Sequence, residues 1–124
     1  MRLNELKQAI KSTQQAVKMY HWYTGEWSTH KLLDKLFEFL LEAEDRVAEA
    51  ALARGEPVTN EFTPITVEGL IDDPELQVKI QEMMTVILDA LSMLEEYDPG
   101  IDNMTGDLIE KIIWWKNYAL QKVK

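Results

Sequence analysis

The chain has 124 residues, a length that fits one domain, and we treat residues 1–124 as a single domain. It contains no cysteine, which excludes a disulfide framework and a thiolate metal site, and its net charge of −9 argues against direct nucleic acid binding through phosphate contacts. No apolar run approaches the roughly 18 residues of a membrane-spanning helix, and the first eleven residues lack the apolar segment of a signal peptide. We therefore expect a cytoplasmic protein with no membrane partner.

The first half of the chain predicts two long helices. Apolar side chains recur every three or four residues over residues 3–23, which indicates an amphipathic helix. After a break at residues 24–26, Ser28 is the predicted N-cap of a second helix over residues 29–53. Gly55 is the predicted stop of that helix, because glycine favours the backbone conformation that ends helices.

The second half predicts two more helices after a long connection. Residues 55–73 show no periodic pattern, and such a length is unusual for a loop in a small domain. Asp73 and Pro74 are then the predicted N-cap and first residue of a third helix, which residues 98–100 end. The fourth helix is expected to begin near Thr105.

The order of short, long and short connections predicts the fold class. Short connections make helices 1 and 2 antiparallel neighbours, and likewise helices 3 and 4. A long crossover between helices 2 and 3 lets helix 3 run parallel to helix 2. The prediction is an all-α four-helix bundle of the ferritin-like arrangement.

The second helix carries an acidic face that includes a histidine. With His30 at 0° and about 100° per residue, Asp34 falls near 40°, Asp45 near 60° and Glu49 near 100°. The same arc holds three apolar residues, Leu41, Ala48 and Leu52. Apolar residues beside carboxylates indicate a face that another helix covers.

The four polar residues on this face of one straight helix are too far apart to bind the same metal ion. His30 and Asp45 are separated by about 22 Å along the helix axis. Two such helices packed antiparallel about a two-fold axis near residues 39–40 would bring His30 and Asp34 of one chain to Asp45 and Glu49 of the other. Isologous dimers of this kind are the commonest oligomers, and this one would contain two identical sites.

Surface charge is the competing interpretation of the same residues. Ion pairs between residues four apart, such as Glu42 and Arg46, are ordinary on exposed helices, and spacing alone favours this interpretation. His21 could equally be a histidine at the edge of the core.

The pattern nevertheless resembles one known family, the Dps-type mini-ferritins of the ferritin-like superfamily. Their pattern is His-Trp near the end of the first helix, followed by H-x3-D-x10-D-x3-E on the second. The matching residues here are His21 and Trp22, then His30, Asp34, Asp45 and Glu49. The flanking segments THKLLD and VAEAALARGE also resemble the family, and the likeness is clearest over residues 3–55.

The resemblance implies an iron-oxidising protein with a di-iron centre shared between subunits. His21, His30 and Asp34 would come from one chain, and Asp45 and Glu49 from its partner. Imidazole and carboxylate ligands suit Fe(II) and its oxidation by peroxide or dioxygen. Members of the family store the ferric product inside a hollow dodecamer, so the expected partner is the chain itself.

Two departures from the family pattern bear on these expectations. The interval from His21 to His30 is shorter than is usual, although it spans a predicted loop. The lysine-rich N-terminal tail that some members use on DNA is absent, so DNA binding is not expected.

Two other classes of function remain open. An all-α Mg²⁺-dependent nucleoside triphosphate pyrophosphohydrolase would use helical carboxylates, for which the pairs Glu42/Asp45 and Glu95/Asp98 are candidates. A helical interaction protein without chemistry would instead use an aromatic cluster, here Trp114, Trp115 and Tyr118.

Overall fold

The computed structural model describes residues 2–123, except 68, 70, 95 and 96, and its regular structure is helical. Four α-helices follow one another along the chain: α1 (Arg2–Tyr23), α2 (Trp27–Ala53), α3 (Asp73–Ser92) and α4 (Pro99–Asn117). A short 3₁₀ helix, Ala119–Lys122, follows α4. The described residues contain no strand, so the all-α prediction is confirmed.

The four helices share one hydrophobic core. On α3 the buried apolar side chains recur every three or four residues, from Leu76 to Leu91. α1 shows the same period from Leu3 to Tyr20, with the buried Thr13 at one position of the pattern. Burying one such side chain fully contributes about 1.5–3 kcal/mol, so the core dominates the stability of the fold. No helix in the described part of the chain is long and apolar enough to cross a membrane.

Helix contacts and the long connection arrange the elements around this core. α1 packs against α2 and α3, while α4 packs against α3 and, less extensively, α2. Residues 54–72 run from the end of α2 to the start of α3. Near its beginning this connection is tied to α1, where the Lys7 Nζ donates to the Thr59 carbonyl oxygen at 2.9 Å. The side chains of Asn4 and Gln8 also donate to the Thr59 hydroxyl, each at 3.2 Å.

The turn between α1 and α2 is anchored on a buried carboxylate of α3. The Thr24 and Thr29 hydroxyls donate to Asp73 at 3.0 and 2.7 Å, respectively. The Thr24 hydroxyl also accepts the backbone N–H of Glu26 at 3.2 Å. A buried carboxylate without partners is costly, so these donors fix the turn against the start of α3.

The predicted N-cap of α2, Ser28, is wrong. The helix begins at Trp27, its N-cap is Glu26, and the Glu26 side chain makes no capping hydrogen bond. The long-range bonds to Asp73 position this end of α2.

The predicted stop of α2 is confirmed at Gly55. Its φ of 75° lies in the left-handed region, which glycine adopts without the steric cost of a side chain. The N–H of Gly55 donates to the carbonyl of Leu52, and that of Glu56 to the carbonyl of Ala51. This pair of bonds is a Schellman motif, which satisfies the last carbonyls of the helix.

The predicted starts of α3 and α4 need correction. Asp72, not Asp73, is the N-cap of α3, and it accepts the Glu75 N–H at 2.9 Å. α4 begins at Pro99 rather than near Thr105. The Asp-Pro pair at positions 98 and 99, interpreted above as the end of the third helix, is the N-cap and first residue of the fourth.

Asp98 also joins the start of α4 to the end of α2. Its carboxylate accepts two hydrogen bonds from the Arg54 guanidinium, at 2.7 and 3.0 Å, and one from the Ile101 N–H at 2.9 Å. The Arg54 bonds first, and the Ile101 bond next, lower the pKa of Asp98 from 3.8 to about 2.

We predict that Asp98→Ala lowers the melting temperature at neutral pH by roughly 3–6 °C, because the cap and the ion pair are both lost. Asp98→Asn keeps a capping oxygen, so its melting temperature should fall by less than that of Asp98→Ala. Because the folded-state pKa lies below the unfolded value, the contribution of the charge is present above the unfolded pKa and is lost as the pH falls toward about 2. Thermal melts across this range test it. A difference in melting temperature between wild type and Asp98→Asn that stays constant across this pH range would contradict the stabilising role of the Asp98 charge.

Candidate metal centre

The two histidines of the chain meet at the α1–α2 turn. His21 lies in the last turn of α1 and His30 in the first turn of α2. Their rings are stacked, with centroids 3.9 Å apart and an interplanar angle of 26°. The short interval between them is therefore sufficient for contact, because the chain reverses direction within it.

A backbone hydrogen bond determines the tautomer of His30. Its Nδ1 lies 2.9 Å from the carbonyl oxygen of His21. A carbonyl oxygen can only accept, so Nδ1 carries a proton. In neutral His30 the lone pair is then on Nε2, the arrangement that a metal-binding imidazole requires when its other nitrogen donates to a carbonyl.

His21 is buried and faces Asp34. Only 8% of the residue is exposed, and its Nε2 lies 3.3 Å from the Asp34 Oδ1. Its Nδ1 is buried without a hydrogen-bond partner. Burial first, then the neighbouring His30, lowers the pKa of His21 below 6.5, while the Asp34 carboxylate partly opposes this shift. This shift favours the neutral ring, which can offer a lone pair.

Aromatic side chains and two lysines, Lys18 and Lys31, surround the pair. The Trp27 ring stacks on His30 with centroids 5.1 Å apart, on the side away from the buried core. Trp22, beside His21, is 61% exposed. The Lys18 ammonium lies over the rings of Trp22 and Phe37, and its charge also disfavours protonation of His21.

The other two predicted ligands lie elsewhere on α2. Asp45 and Glu49 are exposed, and the fifteen residues from His30 to Asp45 correspond to about 22 Å along the axis. Within the described part of the chain, neither carboxylate forms an ion pair or a side-chain hydrogen bond. The structure thus brings together His21, His30 and Asp34 and leaves Asp45 and Glu49 apart from them.

Beyond the contact of His21 with His30 and Asp34, this face of α2 is open among the described residues, and Asp45 and Glu49 are exposed. Leu41 is 47% exposed and Leu52 is 61% exposed, whereas the opposite side of α2 packs in the core. The expectation of a covered second face is therefore wrong for the single chain. In residues 2–123, apart from the four omitted positions, no three His, Asp or Glu side chains are grouped so as to hold a metal ion.

Two supporting features were not predicted from the sequence. Trp27 was not assigned to the site, although its spacing of three residues from His30 on one helix allows the rings to stack. The anchor formed by Thr24, Thr29 and Asp73 joins residues more than forty positions apart, so no local pattern signals it.

Comparison of the chain with protein-family models, with curated proteins and with solved structures finds no match.

We predict that His21 in the metal-free protein titrates below pH 6.5, because burial and His30 disfavour its charged form. Since the unfolded chain then binds the proton more readily, stability falls as the pH drops through about 6.5 toward the folded-state pKa. Asp34→Asn should lower the pKa further. An NMR titration of the His21 ring measures it, and a value at or above 6.5 in the wild type would contradict the assignment.

Proposed function

We propose that the protein is an iron-oxidising, iron-sequestering mini-ferritin whose di-iron site is shared between two chains. The observation that carries this proposal is the distribution of groups on one face of α2. A histidine–carboxylate cluster lies at one end of that face, two carboxylates without partners lie at the other, and exposed apolar side chains lie between and beyond them.

The proposed architecture is a ferritin-like four-helix bundle with a long crossover between α2 and α3. Its support is the set of helix contacts, in which α1 meets α2 and α3 and α4 meets α3 and α2. The connection meets the first turns of α1 at Thr59, whereas the Asp73 anchor lies at the last turn of α1. A segment that travels the length of α1 would return α3 parallel to α2.

A two-fold axis midway between residues 39 and 40 would complete the site. Antiparallel packing of α2 against its copy would set His30 opposite Glu49 and Asp34 opposite Asp45. The same operation would set Trp27 opposite Leu52, and these side chains are 69% and 61% exposed in the single chain. The same two-fold axis would therefore bring the Asp45 and Glu49 carboxylates to His30 and Asp34 and would cover the exposed Trp27 and Leu52 side chains.

The donor set fits Fe(II) as the substrate. Two imidazole nitrogens and three carboxylates combine borderline and hard ligands and offset most of the charge of two divalent ions. Hydrogen peroxide takes one electron from each of two Fe(II) ions, its O–O bond breaks, and two protons yield two water molecules. The His21 and His30 rings would hold the ions through lone pairs, and the net charge of −9 would favour cation approach.

The hydrolase alternative finds less support. The Asp98 carboxylate is engaged by Arg54 and by the start of α4, so it is not free to bind Mg²⁺. Its proposed companion Glu95 lies outside the described residues.

The interaction-protein alternative draws on one observation. Trp114 and Tyr118 are 50% and 56% exposed, and their ring centroids lie 5.7 Å apart on α4. The third member of that cluster, Trp115, is buried and stacks on Phe39, so it is part of the core rather than of a docking surface.

We predict that the protein binds Fe(II) without oxygen and oxidises it faster than buffer after peroxide is added. His30→Ala should slow oxidation by about 10-fold or more, comparable to the effect of removing supporting groups around metal ligands. Asp45→Asn should do the same, whereas Asp89→Asn, an exposed aspartate of α3, should not. Absorbance of the ferric product and the mass of the oligomer are measured together. Absence of stoichiometric Fe(II) binding at neutral pH would refute the proposal.

We predict that mixed dimers recover half of the sites. Homodimers of His30→Ala or of Asp45→Ala have both centres damaged. A dimer with one chain of each variant would concentrate both losses in one centre and leave the other intact, as two-fold symmetry requires. Differently tagged, co-expressed chains allow purification of the mixed species, and anaerobic Fe(II) titration counts its tight sites. If the mixed species binds no better than the homodimers, the site is not shared.

A further inference from the structure

A second candidate site lies on the side of the molecule formed by α1, α3 and the long connection. These elements line a cavity of about 570 Å³, within the range of about 300–1,000 Å³ that is typical of small-molecule sites. Its lining comes from α1, from α3 and from Thr63, Ile65, Thr66 and Ile71 of the connection, and none of the described lining residues belongs to α2. The cavity is thus separate from the face that carries the proposed iron site.

The long connection forms one wall of this cavity and is held in place. The hydrogen bonds from Asn4, Lys7 and Gln8 fix Thr59 on α1, just before the segment that reaches the cavity. At its other end, the Asp72 cap fixes the chain at the start of α3. Long loops in small domains usually have a function, and four described residues of this one, Thr63, Ile65, Thr66 and Ile71, line the cavity.

The cavity is elongated, with an apolar floor. Its lining extends along α1 from Glu5 to Tyr20, which corresponds to about 22 Å along the helix axis. The floor includes Tyr20 and Met83, both buried, while Val86 at the rim is 59% exposed. A ligand with an apolar body would cover side chains that are otherwise in contact with water.

The polar groups of the lining are mostly acceptors. The Ser12 and Thr13 hydroxyls donate to the carbonyls of Gln8 and Ala9, each at 3.0 Å, so they offer a ligand only lone pairs. Glu5 and Glu82 add two carboxylates, and neither forms an ion pair within the described residues. Among the described lining residues, Lys79 is the one cationic side chain.

From this chemistry we propose that the cavity binds a small molecule with an apolar body and a cationic amine head. An ammonium group supplies the donors that the Ser12 and Thr13 hydroxyls and the two carboxylates do not offer. The carboxylates attract its charge, and the net charge of −9 disfavours anionic ligands. The proposal does not depend on iron, and its failure would leave the proposed function untouched.

A matched pair of probes tests the charge preference. 4-Phenylbutylamine and 4-phenylbutanoate share the same apolar body and carry opposite charges. Titrated into the ¹⁵N-labelled protein, the amine should shift the backbone amides of Thr13, Ile65 and Val86. The carboxylate should bind at least about 5-fold more weakly, as expected for one or two partly screened charge contacts. Equal binding of the two probes, or no shifts at about 5 mM amine, would overturn the proposal.

Two variants test the location. Glu82→Gln removes an exposed charge without changing the shape of the side chain, and it should weaken amine binding by about 3–5-fold. Ala9→Leu fills the cavity and should abolish binding, whereas Ala53→Leu at the exposed end of α2 should not. If Glu82→Gln binds the amine as tightly as the wild type, the proposal is wrong. If Ala9→Leu instead changes the mass of the assembly, the cavity is a subunit contact and the proposal also falls.

Discussion

The position of both histidines depends on the buried carboxylate of Asp73. It accepts hydrogen bonds from Thr24 and Thr29, one on each side of the point where α1 turns into α2. Hydrogen bonds to charged groups contribute about 1.5–3 kcal/mol each, and a buried carboxylate that lost them would carry its desolvation cost alone. The turn is therefore fixed against α3, and this constraint holds the His21 and His30 rings in contact across it.

α2 serves two purposes with two different faces. One face carries the apolar residues that the core requires, among them Leu33, Leu40 and Val47, all fully buried. The other carries charged and apolar groups together, and both kinds remain exposed in the single chain. Water solvates a purely charged face well, but exposed leucines beside unpaired carboxylates gain nothing from solvent. The proposed partner is a second copy of the chain, which would cover the exposed leucines and bring ligand partners to the unpaired carboxylates.

The existence of the four helices was predicted from local pattern, whereas their starts and the contacts between distant residues were not. The periodic pattern of α1 and the stop at Gly55 are local properties, and both were predicted correctly. The start of α4 was missed because an Asp-Pro pair can end one helix or begin the next, and the bond from Arg54 to Asp98 that marks it spans 44 positions. The contact of His21 with Asp34 was expected only through the family resemblance. In the proposed dimer, the grouping of these residues with Asp45 depends on contacts between two chains.

The most direct measurement of the central claim is anomalous X-ray diffraction at the iron absorption edge, from crystals of the wild-type protein grown anaerobically with Fe(II). A di-iron site shared between two chains predicts two equivalent pairs of anomalous peaks per dimer. Each pair should lie between His30 and Asp34 of one chain and Asp45 and Glu49 of the other. Peaks confined to one chain, or an iron-free interface in a protein that has been saturated with Fe(II), would contradict it.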